Sequence, residues 1–376
     1  MSLTRRDWIR SSSLLAGAGL VLGRDALAMP AAEAAEAAAQ ALPLGADGRL
    51  RMAYNENPYG PPQSARDAMV KYWSEASLYQ PAGIPELQRL VAAGWGVPAD
   101  HVLITQGSSE GLDATAATFA RDGEIVGATP TYDRLMAYGQ ALGASLVPVP
   151  LDAGLVHDLP AMERAVGPFT RLVFVCNPNN PTGTIVDAGA LEAFCARVAP
   201  RAPVFVDEAY FEYVEAPGHR SMMPLVTTGH DVIVSRTASK IHGMAGLRVG
   251  FLVARPALLE RIRPFVMGFP NAMAVRATIA AVQDTAAQAF VRRQNTASRE
   301  AIYRALDGLR LRYVPSQGNM VFFQTGRPAR EVIAAFAAKG IDVGRPFPPM
   351  LDWCRVSTST PQGTEQFAAA LRGVMA

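Results

Sequence analysis

The sequence predicts an α/β fold, in which a large domain with a mainly parallel sheet is joined to a smaller α+β domain. From residue 101 to residue 234, short apolar segments alternate with segments of helical periodicity, which is typical of a parallel sheet covered by helices. Polar segments follow several of these apolar segments, at the positions where open α/β sheets bind ligands. After Gly268 the alternation gives way to a long helical pattern and a few separate strands, which indicates a second domain.

The elements follow from local periodicity and from turn residues. Strands are predicted at residues 101–105, 124–128, 146–150, 172–176, 204–206, 232–234, 318–323 and near 342–343. Helices are predicted at residues 64–74, 85–94, 159–166, 190–198, 278–306, 330–339 and 365–375. One further helix reaches residue 119, and another follows residue 132.

The composition suits two globular domains and excludes several classes of function. The chain has 376 residues, of which 49% are hydrophobic and 18% are charged. A formal net charge of +2 predicts binding neither to nucleic acid nor to a membrane surface. The cysteines Cys176, Cys195 and Cys354 are odd in number and widely spaced, which argues against a disulfide framework or a metal site.

The first 28 residues have the pattern of a signal peptide of the twin-arginine type. Arg5 and Arg6 are followed by a short apolar run from Leu14 to Leu22 and then by an Ala-x-Ala site at residues 26–28. The run is shorter than the ~20 residues that cross a bilayer, so we expect no stable membrane span. The pattern predicts export to the periplasm; the alternatives are an uncleaved anchor or a basic tail on a cytoplasmic protein.

Lys240 has the surroundings of a reactive amine. It follows the apolar strand at residues 232–234, and its neighbours at 244–247 are small or apolar. A desolvated lysine has a lowered pKa, and a neutral amine can form a Schiff base with an aldehyde cofactor. The alternative is an ordinary loop lysine in contact with water. The hydroxyls of Thr237 and Ser239, together with Arg248, could hold a phosphate.

Polar residues of three successive strand–helix units reach the same edge of the sheet. Asn180, Asp207 and Lys240 are separated by about one βα unit of ~30 residues each. Asp207 follows an apolar strand, where a carboxylate is costly unless it meets a cation such as a protonated pyridine nitrogen. Asn180 and Tyr210 could bind a phenolate oxygen on that ring, and Tyr132 could stack on its face.

Two further features complete a site for pyridoxal 5'-phosphate (PLP). The turn Gly107-Ser108-Ser109 offers N–H groups and hydroxyls at a helix start, which suits a phosphate. Arg355 could bind a substrate carboxylate through two parallel hydrogen bonds. Each residue also has an ordinary structural alternative, namely a serine cap, a core tyrosine, an Asx turn or a surface arginine. Their convergence on one edge favours the PLP site.

Six motifs carry a resemblance to a known family. In order they are NENPYG, GSSEG, TPTY, NPNNPTG, DEAY and RTxSK…GLRxG. The chain resembles the fold-type I PLP-dependent aminotransferases, specifically the histidinol-phosphate aminotransferase family, from about residue 50 to the end. This resemblance implies a large domain with a sheet of the seven-stranded type. The corresponding domains are a signal peptide (1–28), an N-terminal segment of the small domain (29–75), the large PLP-binding domain (76–270) and the small C-terminal domain (271–376).

The resemblance also assigns roles to individual residues. Lys240, Asp207 and Tyr210 would be catalytic: Lys240 would bind PLP covalently, Asp207 would hold the ring nitrogen, and Tyr210 with Asn180 would bind the ring oxygen. Tyr132 would stack on the ring. The phosphate would be held by Ser108, Ser109, Thr237, Ser239 and Arg248. Tyr79 matches a tyrosine that reaches the phosphate of the neighbouring subunit, which implies a homodimer.

The substrate side is expected to involve Tyr59, Asn319, Arg345 and Arg355. Arg345 lies in a segment that departs from the family by an additional residue, Gly344, and we expect it to read the distal part of the substrate or to shape the pocket rim. A second departure is Ser357-Thr358-Ser359-Thr360, which follows Arg355.

By this resemblance the chain is a transaminase. It would move an amino group from an amino acid or an amino-alcohol phosphate to a 2-oxo acid by a ping-pong mechanism, with Lys240 as the general base. Export would separate it from the cytoplasmic intermediates of histidine synthesis, which favours an amino-acid donor. The alternatives are a PLP-dependent decarboxylase of the same fold and a non-enzymatic PLP-binding relative.

Overall fold

A seven-stranded mixed sheet forms the centre of the computed structural model, which describes residues 43–79 and 82–376. The predicted signal peptide of residues 1–28 lies outside the described residues. Numbered in chain order and given in their order across the sheet, the strands are β2 (Val102–Thr105), β8 (Gly250–Val253), β7 (Val232–Thr237), β6 (Val204–Asp207), β5 (Thr170–Cys176), β3 (Glu124–Thr129) and β4 (Ser145–Pro150).

Six of these strands run in the same direction, as the predicted parallel sheet requires, and β8 is the exception. It pairs in antiparallel register with β7 on one side and with β2 on the other, whereas the pairs from β7 to β4 are parallel. The local sequence pattern does not predict β8 as a strand. The parallel arrangement places the ends of β5, β6 and β7 at one edge, as the spacing of their polar residues predicts.

Helices cover both faces of this sheet because its strands are apolar on both faces. On β5, Val173 and Val175 pack into one apolar cluster, while Leu172 and Phe174 pack into another. The helices of this part of the chain are α1 (Gln63–Lys71), α2 (Gly83–Trp95), α3 (Gly107–Phe119), α4 (Arg134–Ala141), α5 (Leu159–Ala165), α6 (Ala188–Val198), α7 (Met223–Thr227) and α8 (Pro256–Ile262).

The remaining strands form two smaller sheets, which have their own apolar cluster. Strands β9 (Tyr313–Val314), β10 (Met320–Gln324) and β12 (Trp353–Ser357) form an antiparallel sheet with β10 in the middle. Strand β1 (Leu50–Met52) pairs in parallel with β11 (Ile341–Val343). The N-terminal segment is thus joined to the C-terminal third of the chain. The domain boundaries after residues 75 and 270 stay predictions.

The prediction of one long helix at residues 278–306 is wrong in one respect, because two helices occupy this region. They are α9 (Ala272–Gln283) and α10 (Thr285–Gly308), and Asp284 lies between them. The carboxylate of Asp284 accepts hydrogen bonds from the N–H of Ala287 at 2.9 Å and from the hydroxyl of Ser64 at 2.7 Å. It therefore caps α10 and ends the preceding helix.

Two more helices, α11 (Ala329–Ala338) and α12 (Pro361–Met375), pack with α10 around the apolar cluster of the small sheets. Among the described residues, none of the helices has both the length and the apolar character that crossing a bilayer requires.

Candidate active site

One cavity at the edge where β5, β6 and β7 end gathers most of the predicted site. Its volume is about 470 Å³, within the range of small-molecule sites. Twelve of the fifteen predicted residues line it, namely Ser108, Ser109, Tyr132, Asn180, Asp207, Tyr210, Thr237, Ser239, Lys240, Arg248, Arg345 and Arg355. Residues from both the seven-stranded sheet and the small sheets therefore meet in one place.

The amine of Lys240 faces backbone carbonyls of the N-terminal segment. Its Nζ donates to the carbonyl of Asn55 at 2.9 Å and to that of Tyr54 at 3.3 Å, and it lies 5.3 Å from the ring centroid of Tyr210. Burial, together with the nearby positive charge of Arg355, lowers the pKa of Lys240 to about 8. An amine with this pKa has a sizeable neutral fraction near neutral pH, as covalent capture of an aldehyde requires.

Asp207 is a buried carboxylate at the end of β6. Its side chain is 2% exposed and accepts a hydrogen bond from the N–H of Ala209 at 3.2 Å. Burial raises the pKa of Asp207 to about 7, because removing a carboxylate from water disfavours its charged form. A protonated pyridine nitrogen in the cavity would supply the compensating positive charge.

Hydroxyls and a guanidinium converge at the start of α3. Arg248 donates to the hydroxyl of Ser109 at 3.3 Å and to that of Ser239 at 3.4 Å, and Thr237 donates to Ser239 at 2.9 Å. Gly107 has a φ of 76°, and a Cβ atom at this position would overlap the guanidinium of Arg248. The glycine therefore lets the arginine approach the first turn of the helix, and the resulting group of donors fits a phosphate.

Tyr210 is held by two amides. Its hydroxyl accepts a hydrogen bond from Nδ2 of Asn55 at 3.0 Å and lies 3.4 Å from Nδ2 of Asn180. Burial raises the pKa of Tyr210 above its ordinary value, so the hydroxyl keeps its proton and can donate. Burial also raises the pKa of Tyr132 in the same cavity. Asn180 and Tyr210 thus offer two donors to one acceptor, such as a phenolate oxygen.

Arg355, on β12, is a buried cation that faces the cavity. It donates from Nη1 to Oδ1 of Asn180 at 2.6 Å and from Nη2 to the carbonyl of Ala53. Its Nε has no hydrogen-bond partner among the described residues, and burial lowers its pKa to about 10. Gly344 lies against it: the N–H of Gly344 donates to the carbonyl of Arg355 at 2.8 Å, and a Cβ atom there would crowd the arginine. This guanidinium is suited to an anionic substrate group.

Three predicted residues lie outside this cavity. Tyr59 packs edge-on against Phe290, with ring centroids 5.2 Å apart, and burial raises its pKa to about 12. Asn319 donates from Nδ2 to the carbonyls of Asn55 at 3.0 Å and Glu56 at 3.2 Å, so it positions the backbone that Lys240 contacts. Tyr79 is fully exposed.

Asn55 belongs to the NENPYG motif and contacts site residues, although the sequence alone assigns it no role. Its backbone has a φ of 53°, its carbonyl accepts from Lys240, and its amide donates to Tyr210. The hydroxyl of Ser357 fixes it by donating to Oδ1 at 3.0 Å and by accepting from its N–H at 2.8 Å. The signal in the sequence that could have identified Asn55 is the NENPYG motif, which contains it.

Relatives of known name are similar over most of the chain. The family model for aminotransferase class I and II matches residues 48–371. A histidinol-phosphate aminotransferase of Moorella thermoacetica is 38% identical over 340 residues, which cover 89% of this chain and 87% of the relative. That of Symbiobacterium thermophilum is 36% identical over 342 residues, which cover 88% and 92%.

Solved structures show the same fold. A crystal structure from Erwinia carotovora atroseptica, assigned provisionally as a histidinol-phosphate aminotransferase, has a TM-score of 0.84 and 34% identity, covering 89% of this chain and 97% of that one. The histidinol-phosphate aminotransferase of Sinorhizobium meliloti, in complex with PLP, has a TM-score of 0.81 and 24% identity, covering 92% and 94%.

The family match spans most of the chain, and the cavity has the groups that PLP requires. These groups are a buried amine, a buried carboxylate, two donors for a ring oxygen and a phosphate cradle at a helix start. The chain therefore belongs to the class I and II aminotransferase family, and it is a PLP-dependent aminotransferase.

Proposed function

We propose that this enzyme takes the amino group of an α-amino acid or an amino-alcohol phosphate and passes it to a 2-oxo acid. The observation that carries the proposal is that Lys240 and Arg355 line the same cavity. One supplies an amine with a lowered pKa, and the other a buried guanidinium whose Nε has no partner among the described residues. A donor with its carboxylate on Arg355 would place its reacting carbon within this cavity.

The residues divide the work as follows. Bound PLP supplies an electron sink for the substrate α-carbon. Lys240 holds the cofactor and then, as a free amine, moves the proton at that carbon. Asp207 stabilises a proton on the ring nitrogen, and Asn180 and Tyr210 orient the ring oxygen. Ser108, Ser109, Thr237, Ser239 and Arg248 hold the phosphate.

A donor screen on the purified holoenzyme tests this function. Amino acids and histidinol phosphate, the donor in the relatives' names, would be added singly, and the 2-oxo product would be identified by mass spectrometry. Borohydride reduction followed by peptide mapping should place the pyridoxyl group on Lys240. Label on another residue would refute the role of Lys240, and release of CO2 without a 2-oxo product would indicate a decarboxylase.

We also propose a homodimer in which Tyr79 of each subunit reaches the phosphate site of the other. Large apolar side chains are exposed in two stretches, near residues 70–79 and 265–269, which is typical of an interface. Mixing a Tyr79→Ala variant with a Lys240→Ala variant tests this, since each hybrid dimer would contain one site with both residues intact. Restored cofactor affinity would support the proposal; a monomer in sedimentation would overturn it.

The export of this enzyme to the periplasm by the twin-arginine route is a further proposal. It is supported by the sequence of residues 1–28. The route carries folded proteins, which suits an enzyme that acquires its cofactor before it leaves the cytoplasm.

A further inference from the structure

We propose that Asp133 is a specificity determinant, whose carboxylate pairs with Arg345 at the cavity rim and disfavours donors with an anionic distal group. The inference rests on the proposed transaminase function. It concerns the part of the substrate that is remote from the reacting carbon.

The pair lies at the solvent-exposed end of the cavity. Nη2 of Arg345 is 2.6 Å from Oδ2 of Asp133, and both residues line the cavity. The two side chains are 48% and 55% exposed, which places the pair at the rim. Asp133 immediately follows Tyr132 and precedes α4, whereas Arg345 follows β11. The ion pair therefore connects the large sheet to the small ones beside the entrance.

Two arginines of the cavity share one aromatic ring but differ in charge compensation. The guanidinium carbon of Arg345 lies 4.6 Å from the ring centroid of Phe347, and that of Arg355 lies 4.9 Å from it. Arg345 has a carboxylate partner, while none of the ion pairs within residues 43–79 and 82–376 involves Arg355. Arg355 thus offers the cavity a positive charge without a carboxylate partner, whereas the rim offers a neutral pair.

This charge distribution selects among donors. Every α-amino acid has a carboxylate for Arg355, but a second anion at the distal end would have to displace Asp133 or lie beside it. Because Asp133 already neutralises Arg345, a distal anion loses the attraction of that guanidinium. Opposite charges a few ångströms apart attract by about 1 kcal/mol or more even in a watery environment, which corresponds to about fivefold in affinity. Neutral distal groups, including aromatic ones that can contact Phe347, do not depend on this attraction.

The substitution Asp133→Asn is suited to test the proposal because it removes the charge and keeps the shape. Asp133 is the residue before α4, but its side chain makes no capping hydrogen bond, so no cap is lost. Asp113→Asn is the matched control: its carboxylate pairs with Arg134 at 2.5 Å and does not line the cavity.

The experiment measures the Kd of two inert ligands for the holoenzyme by calorimetry. Glutarate and 3-phenylpropionate both have a carboxylate for Arg355, and they differ in an anionic or a neutral distal group. Asp133→Asn should tighten glutarate binding about fivefold or more and change 3-phenylpropionate binding less than about twofold. Asp113→Asn should change neither. Adding Arg345→Ala to Asp133→Asn should abolish the gain for glutarate.

Three outcomes would overturn the inference: equal gains for both ligands, equal effects of Asp133→Asn and Asp113→Asn, or a gain that persists without Arg345. Turnover is measured separately. If no donor is converted but the ligands discriminate as expected, the proposed function fails and the role of Asp133 stands. If donors are converted and Asp133→Asn changes no ligand preference, only the role of Asp133 fails.

Discussion

Arg355 and Asn180 are joined by a 2.6 Å hydrogen bond from the guanidinium Nη1 to the side-chain oxygen Oδ1. Arg355 lies on β12 of the small sheet, whereas Asn180 follows β5 of the large one. The Nδ2 of the same asparagine lies 3.4 Å from the hydroxyl of Tyr210. The group proposed to bind the substrate carboxylate is therefore oriented by a group proposed to bind the cofactor ring.

The Asn180→Asp substitution should impair the binding of every α-amino-acid donor. The new carboxylate would neutralise Arg355 in place of the substrate, so kcat/KM should fall roughly 30-fold or more on all donors. Steady-state kinetics with several donors measure this. Arg355→Ala should cause a similar loss, and the double variant should lose little beyond either single one. Losses that add would contradict the proposed pairing.

The Gly107→Ala substitution should weaken cofactor binding. A Cβ atom at this residue would displace Arg248 from Ser109, so the Kd of PLP should rise about tenfold or more, as measured by fluorescence quenching. Gly96→Ala is the matched control, because Gly96 has a φ of 68° and a Cβ there meets no described atom within 4 Å. Both variants should lose about 1–2 kcal/mol of stability. Equal Kd values for the two would refute the role of Gly107.

The Asp207→Asn substitution should stabilise the cofactor-free protein at neutral pH. Burial holds the pKa of Asp207 at about 7, whereas an unfolded aspartate titrates at about 4. Unfolding then releases a proton between these values, so wild-type stability falls as the pH rises from about 4 to about 7. Asparagine does not titrate. The melting temperature of Asp207→Asn should therefore exceed that of the wild type by an amount that grows over this pH range and persists at higher pH.

Addition of PLP should reverse this advantage, because only the carboxylate compensates a protonated ring nitrogen. The melting temperature of the wild type should then rise more than that of Asp207→Asn. Asp67→Asn serves as the control, since Asp67 is exposed, and its melting temperature should follow the wild type throughout. A constant difference between wild type and Asp207→Asn at all pH values would contradict the assigned titration.

The double substitution Arg5→Lys with Arg6→Lys should retain the protein in the cytoplasm. The twin-arginine pair is the recognition element of the proposed export route. The lysine substitutions keep the positive charge but remove this recognition element. Cell fractionation and mass measurement should find the variant inside, with residues 1–28 attached. The same distribution for wild type and variant would refute export by this route.

The sequence predicted the part of the site that depends on local periodicity. The spacing of Asn180, Asp207 and Lys240 predicts that they lie together, because parallel strands bring their carboxyl ends to one edge. Asp133 could not be assigned in this way, because its pairing with Arg345 depends on how the small sheets lie against the large one. The periodicity does not predict the break at Asp284, because the apolar pattern runs through it, although aspartate is a common helix cap.

The contacts of residues 53–57 set the order in which this protein can be assembled. Asn55 and Ser357, which hydrogen-bond to each other, are 302 residues apart, as are Ala53 and Arg355. During synthesis the ribosome releases the N-terminal partner long before the C-terminal one exists. The cavity is therefore completed only after nearly the whole chain has been translated, and a nascent chain that stops before β12 lacks both the serine that fixes Asn55 and the guanidinium proposed for the substrate.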